Sequence, residues 1–172
     1  MFRTITRYEE DGLGLPYPVV LIDSAEEETD ASGAVVGVSV PDLEGLAAAV
    51  VVARCVNPMQ LAGEEVRFIR DVLEMTARDM AEALGLDHAT LSRWENGKQA
   101  VGAWADRQVR YVTLLMLHDR VPGLQVNPKD AIGLHIIPRA AGEWPQLQMR
   151  RVQVSAGGET GVAGWDKLPI AA

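Results

Sequence analysis

The stretch from Thr76 to Gly97 holds two complete sets of helix start and stop signals, and few chain paths satisfy both. Thr76 is placed to cap a first helix, with Asp79 three positions on to return the bond, and Asp87 is placed to cap a second. Gly85, directly after Leu84, suits the left-handed residue that ends a helix without a Cβ clash. Met80, Ala81 and Leu84 recur at helical spacing, and Leu86, Leu91 and Trp94 continue an inward face on the second segment. The pattern predicts two short helices meeting at a sharp corner, closed by a stop at Asn96-Gly97.

A corner of this kind, a helix-turn-helix, lays the N-terminal part of its second helix along base edges in the major groove of DNA. The residues left facing outward there are His88, Ala89, Thr90, Ser92 and Arg93. Arg93 is the leading candidate for base contact. Its planar fork can donate to guanine O6 and N7 together, worth roughly 1–3 kcal/mol of discrimination. The alternatives for Arg93 are a nearby carboxylate or a phosphate. Ala89 and Thr90 can lie against a thymine methyl, Thr90 can also donate to a base or phosphate, and His88 can reach a phosphate or base edge. For these three a solvated surface residue is the competing reading. Arg78 and Lys98 are placed for phosphates, with solvated surface charge as the competing reading, and the backbone N–H groups at both helix N-termini are placed for phosphates too. Trp94 reads as core, and Glu95 as a residue that holds the local structure through a helix end or an arginine.

The net charge of −8 runs against unselective binding to nucleic acid. Its distribution is uneven: residues 1–58 carry −7, residues 59–120 carry −2 and residues 121–172 carry +1. A locally basic face can still form from Arg78, Arg93, Lys98 and Arg107. Because phosphate neutralisation supplies most affinity, the expectation is modest, salt-sensitive binding by a dimer.

Other function classes find little support. The apolar run Leu46 to Ala53 is far shorter than the roughly 20 residues that span a bilayer. The N-terminus lacks a long apolar core after its charges, so a cytoplasmic protein is expected. Cys55 is the single cysteine. It can form no internal disulfide and no cysteine-based zinc site, and inside an apolar run it reads as a buried thiol. His88, His118 and His135 are scattered without metal-binding spacing, no nucleophile motif is present, and Gly12-Leu-Gly14 lacks the third glycine of a dinucleotide loop. No enzyme activity, catalytic residue, cofactor or metal is expected.

Around the motif, Tyr17 to Asp23 and Ala34 to Val40 read as a hairpin joined by the acidic turn Glu26 to Gly33. Pro41-Asp42 opens an Ala/Val-rich run to Val56 that fits a helix capped by Asp42, although Val50-Val-Val52 also suits a strand. Asn57-Pro58 breaks it, and Met59 to Gly63 reads as a linker. From Gly63, Val66, Ile69, Val72 and Leu73 form one helical face, with Arg67 and Asp71 as an i,i+4 pair. A long helix over Trp104 to His118 is expected to turn Val109, Val112, Leu115 and Met116 inward, with Asp106 and Arg110 paired. After Val121-Pro-Gly123, Asn127-Pro128 opens a short helical turn, and Leu147 to Val154 reads as a strand whose alternation breaks at Arg150-Arg151. From Ser155 the chain is Gly-rich and expected to be flexible, with Trp165 as its only large anchor.

Leu61-Ala-Gly-Glu-Glu-Val-Arg-Phe-Ile-Arg70 through Ser92-Arg-Trp-Glu-Asn-Gly97 to Ala105-Asp-Arg107 resembles the helix-turn-helix domain of MqsA-type (YgiT-type) antitoxins and related regulators, within the Cro/xenobiotic-response-element (XRE) class. Tyr8-Glu-Glu-Asp-Gly-Leu13 and Val38-Ser-Val-Pro-Asp-Leu-Glu-Gly-Leu46 resemble the module that precedes this domain in the family. Many relatives hold zinc there with paired Cys-x-x-Cys motifs, and with Cys55 as its one cysteine the resemblance implies a metal-free version here. The family pattern also places Gln or Asn where Ala89 stands and Gln where Ala77 stands, amides that would read adenine or hold a phosphate.

The resulting expectation is an α+β chain in three parts: a β-rich module ending in a helix (1–58), a helix-turn-helix bundle of four to five helices (59–120), and a poorly structured or short-β C-terminal extension (121–172). Its expected role is a sequence-specific regulator, a repressor that binds double-stranded DNA as a homodimer. The two recognition helices would lie about 34 Å apart on a palindromic operator. The competing readings are an antitoxin that neutralises a toxin protein and autoregulates its operon, and a helix-turn-helix interaction module without DNA affinity.

Overall fold

The computed structural model describes residues 1–155 and 161–170. The architecture is α+β: a five-stranded sheet carrying five α-helices. Strands β1 (Phe2–Glu10), β2 (Val19–Thr29) and β3 (Val35–Ser39) come first. Helices α1 (Leu43–Val56), α2 (Gly63–Val72), α3 (Ala77–Ala83), α4 (His88–Glu95) and α5 (Ala103–Leu117) follow, and β4 (Gln148–Val154) and β5 (Val162–Leu168) close the chain. Among the described residues no helix is long and apolar enough to cross a membrane.

β2 is the organising strand. β1 pairs antiparallel along most of its length, while its other flank is shared between β3, at Glu26 to Thr29, and β4, which runs parallel to it at Val20 and Leu21. All five helices lie in sequence between β3 and β4. The first and last segments of the chain therefore contribute to one sheet.

Several expectations change. The run Glu26-Glu-Glu-Thr29 is strand, not turn; the turn is shorter, with the Asp30 carboxylate accepting bonds from the Ser32 and Ala34 backbone N–H groups at 2.8 and 3.1 Å. Cross-strand pairing makes those glutamates tolerable in the sheet: Glu27 faces Arg3 at 2.6 Å. β1, whose residues are largely exposed, was not legible because its apolar alternation is weak. The interrupted alternation at Arg150-Arg151 produces no bulge: β4 pairs with β5 in unbroken register. Arg151 instead lies over the Trp165 ring at 5.5 Å and bonds Asp42 at 3.0 Å. Beyond Ser155 the chain was expected to be flexible; residues 156–160 lie outside the described residues, while Val162–Leu168 forms β5 with Trp165 buried.

α1 is a helix from Leu43 as its capping signal implies, with Asp42 accepting from the Gly45 N–H. It is buried over most of its length, Cys55 included, and burial pushes that thiol up to about 12. α5 shows the clearest departure. Val109 is buried as expected, but Leu115 and Met116 are exposed, because the inward side is taken by Asp106, Val109, Arg110, Thr113, Leu114 and Leu117. The Asp106–Arg110 pair is present, in the interior.

That ion pair and a second one organise the joint between the sheet and the helices. Arg54 of α1 donates to Glu65 of α2 through Nε at 2.5 Å and Nη2 at 2.9 Å, and the Tyr17 hydroxyl donates to the same carboxylate at 2.6 Å. Burial, and after it the neighbouring Glu65 carboxylate, hold the Tyr17 hydroxyl firmly protonated. The expected linker at Met59 to Gly63 runs between the two guanidinium groups. The Met59 carbonyl accepts from Arg54 at 2.8 Å and Arg110 at 2.7 Å, the Gln60 carbonyl accepts from Arg54, and the Leu61 N–H donates to Asp106 at 2.6 Å. A buried charge is costly unless its hydrogen bonds are filled. Here backbone carbonyls fill them, so the linker is a ligand of the two arginines.

Candidate nucleic-acid interface

The two-helix corner forms where the local signals place it. Thr76 and Asp79 close a capping box on α3, and Asp87 caps α4 by accepting the Thr90 N–H at 2.8 Å. Both carboxyls are held below the usual carboxylate range, chiefly by hydroxyl donors, Thr76 for Asp79 and Thr90 for Asp87. Between the helices Gly85 takes φ +65°, a conformation that costs a residue with a Cβ. Met80, Ala81, Leu91 and Trp94 are buried and lock the two helices together.

α2 sets the tilt of the pair. Glu95, at the end of α4, is nearly buried and receives Arg70 of α2 at 2.8 and 3.3 Å, with Arg67 at 3.6 Å. Arg70 also donates to the Met75 carbonyl, and the bond to Glu95 holds its guanidinium above its ordinary pKa. Glu95 thus secures the structure through arginine contacts. Arg67 turns to Glu95 and the Asn96 side chain and leaves Asp71 to Arg70, so the expected Arg67–Asp71 pair does not form. At the other end of α2, an ideal Cβ on Gly63 would stand 1.6 Å from the Trp94 carbonyl oxygen. Only a glycine lets the first turn of α2 rest on the last turn of α4.

On the outer side, His88, Ala89 and Arg93 are exposed and Thr90 and Ser92 half-buried, so the five share the solvent face of α4. Their chemistry is already partly committed. The Thr90 hydroxyl donates to Asp87 at 2.7 Å and accepts from Arg93 Nη2 at 2.8 Å. Thr90 therefore has its methyl group and remaining lone-pair capacity left for a ligand. Ser92 accepts from the Asn96 amide through its carbonyl at 2.8 Å and its hydroxyl at 3.2 Å. Arg93 is aimed from two sides, because its Nε donates to Gln99 Oε1 at 3.0 Å while Thr90 holds Nη2. Nη1 and the outer edge of the fork are free of these bonds, which is the edge a bidentate acceptor would use.

Gln99 was missed by sequence reasoning. It lies beyond the helix stop, where the Lys98 and Gln99 N–H groups both close on the Arg93 carbonyl at 2.8 and 3.2 Å, and this turn brings its amide back over α4. The only signal in the sequence was its closeness to Gly97. Arg78, on the first turn of α3, and Lys98, after α4, are exposed cations. Arg107 is drawn away from it to the Leu134 carbonyl at 3.3 Å.

Comparison with known proteins agrees with this geometry over part of the chain. Neither a curated protein nor a solved structure matches it. The helix-turn-helix family profile matches residues 66–103, which run from α2 to the first residue of α5 and contain both helices of the corner and the recognition face. The chain accordingly carries a Cro/XRE-type helix-turn-helix domain at residues 66–103, which supports a DNA-binding regulator.

Proposed function

We propose that this chain is a sequence-specific transcriptional repressor that binds a palindromic operator in cytoplasmic DNA as a homodimer and excludes polymerase by occupancy. The observation that carries the reading is the solvent face of α4, where Thr90 and Gln99 hold the Arg93 fork with its outer edge free. A fork fixed before binding loses little rotamer freedom on meeting guanine, so the contact adds selectivity at small entropic cost. Arg78, Lys98 and the backbone at the helix N-termini would take phosphates, and Ala89 a thymine methyl. His88 lies beside them at the start of α4.

Selection of bound duplexes from a random pool, followed by salt titration, tests the reading. The expected result is an inverted repeat whose affinity falls with salt. Arg93→Ala should abolish preference for that repeat while circular dichroism stays unchanged. A pool without any enriched sequence would reject DNA reading in favour of an interaction module.

A second reading, in which the same chain is an antitoxin of the MqsA type, draws on the N-terminal strands. Glu26 and Glu28 are exposed on β2, and Val35, Val36 and Val38 are exposed on β3, an acidic and apolar surface suited to a basic toxin protein. Co-purification with the product of an adjacent small reading frame would support it; a solitary locus would count against it.

A further inference from the structure

A cavity of about 270 Å³ lies between the turn that leaves α4, the start of α2 and Arg139. Its volume is close to the lower end of small-molecule sites, roughly 300–1,000 Å³. Three of the residues that line it have donors to spare. Trp94 is buried, and its indole N–H has no acceptor among the described residues, a state that buried donors rarely keep. Arg139 is fixed from two sides: its guanidinium lies 4.5 Å from the centre of the Trp144 ring, and its Nη1 donates to the Glu143 carbonyl at 3.2 Å. Its Nε and Nη2 have no partner among the described residues. That is the same edge with which Arg54 grips Glu65 and Arg70 grips Glu95. Gln99 places its amide oxygen on Arg93 Nε, and its amide nitrogen is left without an acceptor. Gln60, by contrast, is fully engaged: Oε1 accepts from the Arg139 N–H and Nε2 donates to the Val101 carbonyl, so it ties the two walls together.

We propose that this cavity binds a small monocarboxylate, with the carboxylate on the Arg139 fork and an apolar body against the buried Leu61 and Val101, and that the bound acid strengthens DNA reading by fixing Gln99. The regulatory half rests on the reading above that Arg93 meets a base; the site itself does not. One guanidinium, with the exposed Glu64 carboxylate also at the wall, suits a single negative charge and disfavours a phosphate dianion. The planar fork matches a carboxylate in two parallel bonds. A carboxylate offers acceptors only, so it takes the Gln99 amide N–H and leaves Oε1 on Arg93. Gln99 then gives up its rotamer freedom before DNA arrives, and the Arg93 fork it holds meets a base at smaller entropic cost.

Titration of the isotope-labelled full chain without DNA tests the site, with the assigned tryptophan indole N–H resonances as the readout. The probes are benzoate and butyrate, and the controls are benzamide and inorganic phosphate. At least one of the two carboxylates should move the Trp94 resonance downfield to a plateau, and neither control should. Arg139→Gln removes the fork at a half-buried position and should abolish the shift with circular dichroism unchanged, while Arg139→Lys, which keeps the charge without the fork, should weaken it. A Trp94 resonance that neither carboxylate moves, that a control moves as strongly, or that shifts undiminished in Arg139→Gln would overturn the site. The effective carboxylate should then raise the operator affinity of the wild type and leave that of Gln99→Ala unaltered; a saturable shift with no gain in affinity would overturn the regulatory half. Selection of duplexes proceeds without the acid, so a failed site and a failed DNA reading are separate results.

Discussion

Arg54 and Arg110 lie inside the joint between sheet and helices, whereas Arg78 and Arg93 lie on the solvent side of the two-helix corner. The side-chain chemistry is the same, and its physical meaning is reversed. At the joint each guanidinium is stripped of water and meets a carboxylate plus several carbonyls, so its bonds are spent on holding one chain path. On the corner the cations keep their hydration, and only Arg93 is restrained, by two neutral side chains that leave part of its fork unused. Burial converts arginine into an architectural element; exposure keeps it available to a ligand. Substitutions at the joint should therefore read out in stability, and substitutions on the corner in affinity.

The largest expected effect is at the joint. Glu65→Ala strands Arg54 in the interior and frees the Tyr17 hydroxyl, and losing one partner of a buried pair costs about 3–5 kcal/mol. Chemical denaturation would measure it, and a loss below about 1 kcal/mol, as for surface pairs, would show that the joint's ion pairs act no differently from solvated ones. Gly63→Ala comes next. Its methyl group has no room beside the Trp94 carbonyl, so α2 must lift from α4, at a cost of at least the roughly 1–3 kcal/mol of an overpacked core. A thermal melt reads that cost, and weakened operator binding in the same variant would show that α2 carries the joint's rigidity to the recognition helix.

Arg78→Ala should leave the melting temperature alone. It should weaken binding evenly across duplex sequences and lower the salt slope by about 1, the signature of a phosphate contact. A sequence-dependent loss would move Arg78 to the bases. The smallest effect concerns the caps. Because hydroxyl bonds hold Asp79 and Asp87 below their unfolded values, their contribution is complete above the ordinary carboxylate range. It disappears as pH falls through the lowered native values. Asp87→Asn keeps an N-cap without a titrating group and should flatten that part of the acid dependence of helicity. An unaltered acid profile would show that α4 does not depend on the charge of its cap.

The corner was legible because the signals that start, stop and join its two helices are local. Thr76 with Asp79, Asp87 with Thr90, and Gly85 at positive φ act within a few residues of one another, and Met80, Leu91 and Trp94 keep a helical period. The same holds for Asp42 at the start of α1 and for the set of residues facing out from α4. The joint was not legible, because Arg54, Glu65, Asp106 and Tyr17 are far apart in the chain and sequence alone cannot tell a buried ion pair from a solvated one. The inward side of α5 was misjudged for that reason: Leu115 and Met116 obey the apolar pattern, but the interior is shared with Asp106 and Arg110, which turns the helix. β5 escaped notice because Gly164 and the Gly-rich sequence before it disguise a strand, in which Gly164 packs close to Gly123.

What this sequence determines by itself is what short-range chemistry can enforce: where each helix of the corner begins and ends, and which side chains stand ready outside it. Which of its charges are buried, how the last strands return to β2, and how Gln99 reaches Arg93 follow only from tertiary structure. Those arrangements depend on desolvation and on contacts between distant segments, and neither leaves a periodic mark in the chain.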